Sequence, residues 1–332
     1  MPHQPKNYQD KSDPVASLIR AAGRRTAPPE DAYRQVLAAA TAAFREKKSR
    51  RFERNGLMAA AAVIFAAIAV ALVLQWRPAS LQPRVATVVR LVGSVELGTE
   101  QGWQALIDAN EMLPAGARLR TLPGGSAALA LEDGASLRLA AATEVTLSGS
   151  RDLMLRSGTL YLDHRTRSGA GYRIETPAGT ARDVGTQFEL QVQDGALRLR
   201  VREGRVEIDR AGQVVAGAAG EQLDFDALGG VARSAIAAND RAWQWAETIA
   251  PTPDMDGKSA AALIAWVARE TGHQLRYESP DVEQRATTVI LHGNIRHLTP
   301  LAALDAMLAT TDLVYVLRGD TMEIRARDSR LP

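Results

Sequence analysis

The chain of 332 residues contains no cysteine, which excludes disulfide bonds, thiolate metal sites and a cysteine nucleophile. Aromatic residues make up only 5% of the sequence, so surfaces that stack on single-stranded nucleic acid are not expected. No two of the five histidines have a metal-ligand spacing with carboxylates around them. We therefore expect surface histidines, no metal site, no cofactor and no direct nucleic-acid partner. The histidines are His3, His164, His273, His292 and His297.

Serine-hydrolase, P-loop and dinucleotide-binding motifs are also missing from the sequence. We predict that the protein is not an enzyme, apart from a self-cleavage reaction described at the end of this section. Hydrophobic residues are 46% and charged residues 23% of the chain, which is ordinary globular usage. At about 150 residues per domain, this length predicts about two folded units with room for a short third one.

One long apolar run divides the chain. Residues 57–74 read LMAAAAVIFAAIAVALVL, eighteen residues without a polar side chain, and at about 1.5 Å per residue this helix approaches the roughly 30 Å of a bilayer core. A buried core helix is the alternative interpretation. Lysine and arginine crowd the N-terminal flank of the run, which predicts a single-pass inner-membrane protein with a cytoplasmic N-terminus and a periplasmic C-terminus. Residues 1–56 hold 12 Lys/Arg against 6 Asp/Glu, so the basic head contrasts with an acidic body.

The head contains two amphipathic helical patterns, and the second carries an apolar stripe formed by Val36, Leu37, Ala40 and Phe44. About fifty residues can hardly bury a core of their own. The stripe therefore predicts a helix that folds on a partner protein, and a simple membrane stem remains the alternative.

After residue 85, pairs of apolar residues recur two apart, which is the period of a β-strand. Turn dipeptides such as Asp133-Gly134 and Ser157-Gly158 separate them. Short strands at this spacing predict an all-β domain, either a meander, a sandwich or a twisted roll. The pairs are Leu129/Leu131, Leu137/Leu139, Val145/Leu147, Leu153/Leu155 and Leu160/Leu162.

The pattern changes after a linker that contains RAWQW at 241–245. Helices are predicted at 261–271 and 300–309. Gly272 suits the end of the first helix, and Thr299 suits the N-cap of the second. Strands are predicted at 274–277, 288–291, 313–317 and 322–324. Two helix-strand modules of similar length predict a small α+β domain with two βαβ-type repeats.

Several segments together carry a family resemblance. VGSVELG, LMLRSGTLYLD and YRIETPAGTARDVGTQFELQV occur in this order, and they resemble the FecR domain of transmembrane anti-sigma regulators, with TPAG and VGTQF as the most distinctive parts. The run LHGNIRHLTPLAALDAML resembles the short STN domain of secretins and TonB-dependent receptors. The resemblance implies a multi-domain fold: a helical head at 1–54, one transmembrane helix at 55–77, an all-β FecR domain at 78–222, a linker at 223–255 and an STN-like domain at 256–327.

The resemblance implies two protein partners. In the family the head binds an extracytoplasmic-function sigma factor, and the periplasmic part receives a signal from an outer-membrane TonB-dependent transporter, often for iron-chelate uptake. Regulatory proteases are further partners. Heads in the family are commonly longer and carry a helical motif with tryptophan, whereas the head of this chain has no tryptophan. An envelope adaptor whose head is only an anchor is the alternative function.

The resemblance also draws attention to the bond between Gly185 and Thr186, because some FecR-type regulators are processed at the corresponding position. The Thr186 hydroxyl can attack the preceding carbonyl and convert the amide into an ester that water hydrolyses. Gly185 tolerates backbone angles closed to other residues, and Asp183 is the nearest candidate proton acceptor. The alternative is an ordinary bend that leads into the strand at 187–192.

Overall fold

The computed structural model describes Leu18, Ala21 and residues 30–32, 34–43, 83–164, 171–183 and 185–327. The chain divides into two units, Met1–Ser80 and Leu81–Pro332. In the first unit every described residue is helical and has an exposed side chain. The second unit holds the remaining described elements.

The predicted fold class needs correction. Among the described residues, no helix combines the length and apolar character that crossing a membrane requires, and the predicted span at 57–74 lies outside these residues. The four labelled helices below have 5, 12, 9 and 9 residues, against about 20 for a membrane span. The described chain is mostly β-sheet with few helices, so the predicted fold class with its transmembrane helix is wrong.

The β part of the second unit runs from Arg84 to Ala235. Its strands are β1 (Arg84–Val92), β2 (Val95–Thr99), β3 (Gly102–Ala105), β4 (Met112–Pro114), β5 (Arg118–Thr121), β6 (Ser126–Leu131), β7 (Ser136–Leu139), β8 (Glu144–Leu147), β9 (Asp152–Asp163), β10 (Arg173–Thr176), β11 (Gly179–Asp183), β12 (Gln187–Gln193), β13 (Ala196–Glu203), β14 (Arg205–Arg210), β15 (Gln213–Ala218), β16 (Glu221–Phe225) and β17 (Val231–Ala235).

These strands form two arms that share β9. One arm runs β4-β1-β6-β7-β9-β12-β13-β16-β17, and the other runs β3-β2-β5-β8-β9-β10-β11-β14-β15. Strand β9 leaves the second arm and enters the first near Gly158, whose φ is 91°. A Cβ at Gly158 would lie 2.4 Å from Thr143, so glycine allows the change of arm.

The apolar faces of the two arms pack into one core. All ten residues of the five predicted apolar pairs are buried, with relative exposures between 0% and 5%, which confirms the strand period in the sequence. The cluster contains Leu129 and Leu137 from one arm and Leu119 and Val145 from the other. The β part is therefore a sheet folded onto itself around shared hydrophobic contacts.

The C-terminal part begins with a 3₁₀ turn at Arg241–Trp243. Its helices are α1 (Gln244–Thr248), α2 (Ala260–Thr271), α3 (Pro280–Thr288) and α4 (Pro300–Leu308), and its strands are β18 (Gln274–Tyr277), β19 (Leu313–Arg318) and β20 (Thr321–Ala326). Three of the helices, α2, α3 and α4, share a hydrophobic cluster with the three-stranded sheet. The strand order is β18-β20-β19.

The described residues of the C-terminal part do not form the two predicted βαβ-type repeats. Strand β18 is parallel to β20, but β19 and β20 form an antiparallel hairpin. The strand predicted at 288–291 is also wrong, because Thr288 ends α3 and Ile290 makes only an isolated bridge with Ser259. Helix α3 has only Val282 and Ala286 buried, and so narrow an apolar stripe gives a weak helical period.

Candidate functional site

The bond between Gly185 and Thr186 lies where the chain crosses from one arm to the other. Strand β11, before the bond, pairs with β10 and β14, and strand β12, after it, pairs with β9 and β13. Gly185 has a φ of 68°, in the left-handed region. That conformation favours glycine, so the sequence places glycine where the crossing requires it.

The chain crosses between the arms a second time close to this bond, at the turn between β13 and β14. The turn between β13 and β14 contains Gly204, whose φ is 83°. A Cβ at Gly204 would lie 2.6 Å from Thr186 Cγ2 and 2.8 Å from the Gly185 carbonyl oxygen. The close approach of this turn confines the carbonyl that the threonine hydroxyl would attack.

The Thr186 side chain meets the predicted proton acceptor. Thr186 is 1% exposed, and its Oγ1 donates a hydrogen bond to Asp183 Oδ2 at 3.1 Å. Asp183 is also buried. The structure therefore brings together Gly185, Thr186 and Asp183, the three residues that the sequence proposed for self-cleavage.

Sequence reasoning missed His164, which contacts Asp183. His164 Nδ1 lies 3.0 Å from Asp183 Oδ2, and the His164 backbone N–H donates to the Thr186 carbonyl oxygen at 2.9 Å. The prediction of a surface histidine is wrong here, because His164 is 4% exposed. The other Asp183 carboxylate oxygen, Oδ1, accepts a hydrogen bond from the Tyr172 backbone N–H.

A second carboxylate closes the cluster. His164 Nε2 lies 3.5 Å from Asp133 Oδ2, and the Tyr172 hydroxyl donates to Asp133 Oδ1 at 2.7 Å. The rings of His164 and Tyr172 pack edge to face, with their centroids 4.9 Å apart. Burial, followed by the hydrogen bond to Asp133, raises the pKa of Tyr172, so this hydroxyl stays a hydrogen-bond donor.

These contacts define what we term the Thr186 cluster: Asp133, His164, Tyr172, Asp183 and Thr186. It contains a hydroxyl next to a carbonyl, a carboxylate that accepts from that hydroxyl and an imidazole between two carboxylates. Such an arrangement can accept and return a proton at Thr186 Oγ1. Across the described residues, no group of three or more His, Cys, Asp or Glu is arranged to hold a metal ion.

The predicted partner-binding stripe of the head lies in the first unit. Val36 is 69% exposed and Leu37 is 52% exposed, and Ala40 is exposed on the same helical segment. Phe44 lies outside the described residues. Large apolar side chains that remain in water on a helix are available for contact with a partner.

The comparison with protein families gives a match in the region of the Thr186 cluster. The model of the family described as "FecR protein" matches residues 117–207. The chain contains a FecR domain. Every residue of the Thr186 cluster lies within the matched range. The match does not extend to the C-terminal part, so the STN-like assignment of that part stays a prediction.

Among solved structures, a candidate anti-sigma factor from Parabacteroides distasonis is similar to this chain and is represented by crystal structures at 2.50 and 1.65 Å resolution. The first shares 16% sequence identity, covers 63% of this chain and 98% of that chain, and has a TM-score of 0.36. The second shares 16% identity, with coverages of 62% and 97% and a TM-score of 0.36. No curated protein matches the sequence significantly.

Proposed function

We propose that the protein is an anti-sigma regulator whose head binds an extracytoplasmic-function sigma factor. The FecR match at 117–207 is the observation that supports a regulatory function. The exposed stripe of the head supports the choice of partner surface. The inner-membrane location predicted from the sequence stays a prediction.

The stripe supplies the binding energy in this proposal. Val36 and Leu37 are more than half exposed, and burying a large apolar side chain contributes about 1.5 to 3 kcal/mol. An amphipathic helix that lays such a face into a groove is a common recognition mode. The head can therefore gain both order and affinity when the stripe meets the sigma factor.

Replacement of Val36 and Leu37 by Asp tests this surface. We expect the double variant to lose the sigma factor encoded beside its gene in a pull-down, because the charges prevent burial of the stripe. Gln35→Asp is the matched control, since position 35 faces away from the stripe at about 100° per residue. Equal capture by the double variant and by wild type would contradict the proposed surface.

We also propose that the chain cleaves itself between Gly185 and Thr186. Thr186 Oγ1 attacks the Gly185 carbonyl carbon while Asp183 accepts the hydroxyl proton. The C–N bond then breaks, and the nitrogen takes up a proton and becomes the free α-amino group of Thr186. Water hydrolyses the resulting ester, which leaves a carboxylate on Gly185 and restores the threonine hydroxyl. The 3.1 Å contact between Thr186 Oγ1 and Asp183 Oδ2 supports this reaction.

Incubation of the purified full chain without protease tests self-cleavage. We expect two fragments, with the second beginning at Thr186 by N-terminal sequencing. Hydroxylamine should accelerate the cut and leave a hydroxamate on Gly185, because it attacks esters more readily than amides. Thr186→Ser should still cleave, whereas Thr186→Val, which has the same shape without the hydroxyl, should stay intact. A wild-type chain that remains whole would refute the reaction.

The signalling domain of an outer-membrane TonB-dependent transporter, of the iron-chelate class, is the proposed periplasmic partner. Strand β17 pairs with β16 and with no other strand of the described chain, and all five of its side chains are exposed. An unpaired strand edge can accept an additional strand from a partner. We propose that the transporter domain adds a strand to β17.

A proline scan of positions 231–235 tests this edge. Proline removes a backbone donor, so substitutions at N–H groups that face β16 should destabilise the fold. Substitutions at N–H groups that face outward should leave stability unchanged and should weaken binding of the transporter's signalling domain by at least tenfold. If no position separates binding from stability, the edge is not the docking site. If the transporter domain does not bind at all, the envelope-adaptor function is favoured instead.

A further inference from the structure

Arg269 of α2 bridges two strands of the β part. Its Nη2 donates to Asp163 Oδ1 at the end of β9, and its Nη1 donates to Glu203 Oε2 at the end of β13, at 2.6 Å. Strands β9 and β13 are the neighbours of β12 on its two sides. One side chain of the C-terminal part therefore spans β12 where this strand begins, directly after the bond between Gly185 and Thr186.

Gln187, the residue that follows Thr186, lies between the two bridged carboxylates. In the sheet it is paired with Asp163 on one side and with Glu203 on the other. The Gln187 Nε2 also donates to Asp163 Oδ2 at 3.1 Å, so this carboxylate accepts from Arg269 at one oxygen and from Gln187 at the other. The bridge thus holds the chain in place on the C-terminal side of the bond.

Each bridged carboxylate also precedes a residue that contacts the bond itself. The His164 backbone N–H donates to the Thr186 carbonyl oxygen at 2.9 Å. Gly204 comes so close that a Cβ there would lie 2.8 Å from the Gly185 carbonyl oxygen. The carbonyl groups of both residues that form the bond are therefore placed by residues next to the bridge.

Buried contacts fix the position of Arg269 relative to the β part. Glu270, the next residue of α2, pairs through its Oε2 with Arg138 Nη1 at 2.8 Å, and both side chains are buried. The Glu270 carbonyl oxygen accepts a hydrogen bond from Arg202 Nη1 at 2.8 Å, and Arg202 is buried as well. Because a shift of α2 would break these buried charged contacts, Arg269 is held firmly over the three strands.

From these contacts we infer that Arg269 is a positioning residue for cleavage between Gly185 and Thr186, and that the reaction depends on docking of the C-terminal part. The inference rests on the proposed self-cleavage. Arg269 acts through Asp163 and Glu203, which keep β9, β12 and β13 in register beside the bond. Alignment of the reacting atoms is decisive, since a misplacement of about 1 Å can slow a reaction by about 10²-fold. A partner that lifts α2 from the β part should consequently slow cleavage.

The first test measures the first-order rate of cleavage of the full chain. Arg269→Lys keeps the positive charge but lacks the planar fork that reaches two carboxylates at once, and we expect a rate about tenfold lower. Arg285→Lys is the matched control. It makes the same exchange in the exposed pair with Asp312 and should cleave at the wild-type rate.

Chemical rescue separates positioning from folding. Arg269→Ala should cleave more slowly than Arg269→Lys and should recover with added guanidinium chloride, whereas sodium chloride at the same ionic strength should have no effect. The side chains of Arg269 and Glu203 are 21% and 59% exposed, so a small cation can reach the site from solvent. Guanidinium weakens folded states in general, so recovery of the rate would not come from general stabilisation.

Stability is measured separately, by urea unfolding of the Arg269 variants combined with Thr186→Val, which cannot cleave by the proposed reaction. Glu203→Gln tests the bridge from its other end with little risk to the fold, because this side chain is mostly exposed. It should slow cleavage, and adding it to Arg269→Ala should cause no further loss, since both variants remove the same contact.

A cleaving wild type with an unchanged rate in Arg269→Ala would overturn the role of Arg269 and leave self-cleavage standing. Slower cleavage that merely follows lost stability, without rescue by guanidinium, would overturn it as well. A wild-type chain that stays intact would overturn both proposals.

Discussion

Arg138 of β7 and Glu270 of α2 form an ion pair across the contact between the β part and the C-terminal part. Arg138 Nη1 lies 2.8 Å from Glu270 Oε2, and the two side chains are 0% and 5% exposed. Arg138 Nη1 also donates to the Ala246 carbonyl oxygen at 2.9 Å. One buried guanidinium therefore joins β7 to both α1 and α2.

The first prediction concerns this pair. Glu270→Ala should lower the free energy of unfolding by about 3 to 5 kcal/mol, because it leaves the Arg138 charge buried and uncompensated. The double variant Arg138→Met/Glu270→Leu should lose less, since it removes both charges. Urea unfolding of the full chain gives both values. The exposed pair of Arg285 and Asp312 is the control.

In that control pair the side chains are 55% and 52% exposed. Asp312→Asn should change stability by less than about 1 kcal/mol, as is usual for surface ion pairs. Equal losses for Glu270→Ala and Asp312→Asn would show that the buried pair has no special weight.

The second prediction concerns the turn that presses on the bond between Gly185 and Thr186. Gly204→Ala adds a Cβ that would meet Thr186 Cγ2 at 2.6 Å, so the turn and the bond must separate. We expect slower self-cleavage and lower stability. Gly195→Ala is the matched control, because Gly195 also has a positive φ, 78°, but nothing lies within 4 Å of an added Cβ.

The difference between these two alanine variants isolates the effect of the contact. Both lose about 1 to 2 kcal/mol from the left-handed conformation, and only Gly204→Ala moves the scissile bond. Cleavage rates that fall equally in the two variants would mean that the contact at Gly204 does not control the reaction.

The third prediction is a pH dependence of stability at Glu189. This residue of β12 accepts hydrogen bonds from Trp245 Nε1 at 2.7 Å and from Arg200 Nη1 at 2.8 Å. Burial raises the pKa of Glu189 above its ordinary 4.5, and these contacts offset only part of the rise. The folded chain therefore binds more protons than the unfolded chain between that ordinary value and the raised pKa.

In that pH window Glu189 makes the free energy of unfolding fall as pH rises. Glu189→Gln should flatten this part of the stability profile, measured by urea unfolding at a series of pH values.

The effect of pH on stability through Glu221 has the opposite sign, because the hydrogen bond from the Ala218 N–H is the main cause that lowers the pKa of Glu221. Glu221→Gln should remove a contribution that is present above the ordinary glutamate pKa and is lost as pH falls. Profiles that change in the same direction for both variants would contradict the assignment.

Local signals in the sequence were sufficient for much of the C-terminal part. Strand β18 occupies the predicted 274–277, and helices α2 and α4 begin within one residue of the predicted 261 and 300. The Thr299 side chain accepts from the Ala302 N–H as a helix cap, and Gly272 ends α2 with a φ of 68°. Caps and glycine stops act within one turn of the chain, so a single sequence reveals them.

Helix α3 was not predicted, although local signals for it are present in the sequence. Ser279 caps it and Pro280 occupies its first turn, a combination that favours a helix start. The sequence analysis predicted only a strand at 288–291 here, and that range overlaps α3 at Thr288 alone. Packing of Val282 and Ala286 against the rest of the C-terminal part decided for the helix, because tertiary contacts override weak propensity.

The sequence by itself determined the apolar pairs that are buried in β6 to β9 and the turns between them, and it predicted a reaction at the bond between Gly185 and Thr186. Only the tertiary structure decided that Asp133, His164 and Tyr172 surround Asp183. These residues come from the β6–β7 turn, the end of β9 and the start of β10, and their meeting depends on which strands pair and on the change of arm within β9. The period of a strand specifies which side chains face inward, whereas the partner of each strand is set by packing of the whole sheet.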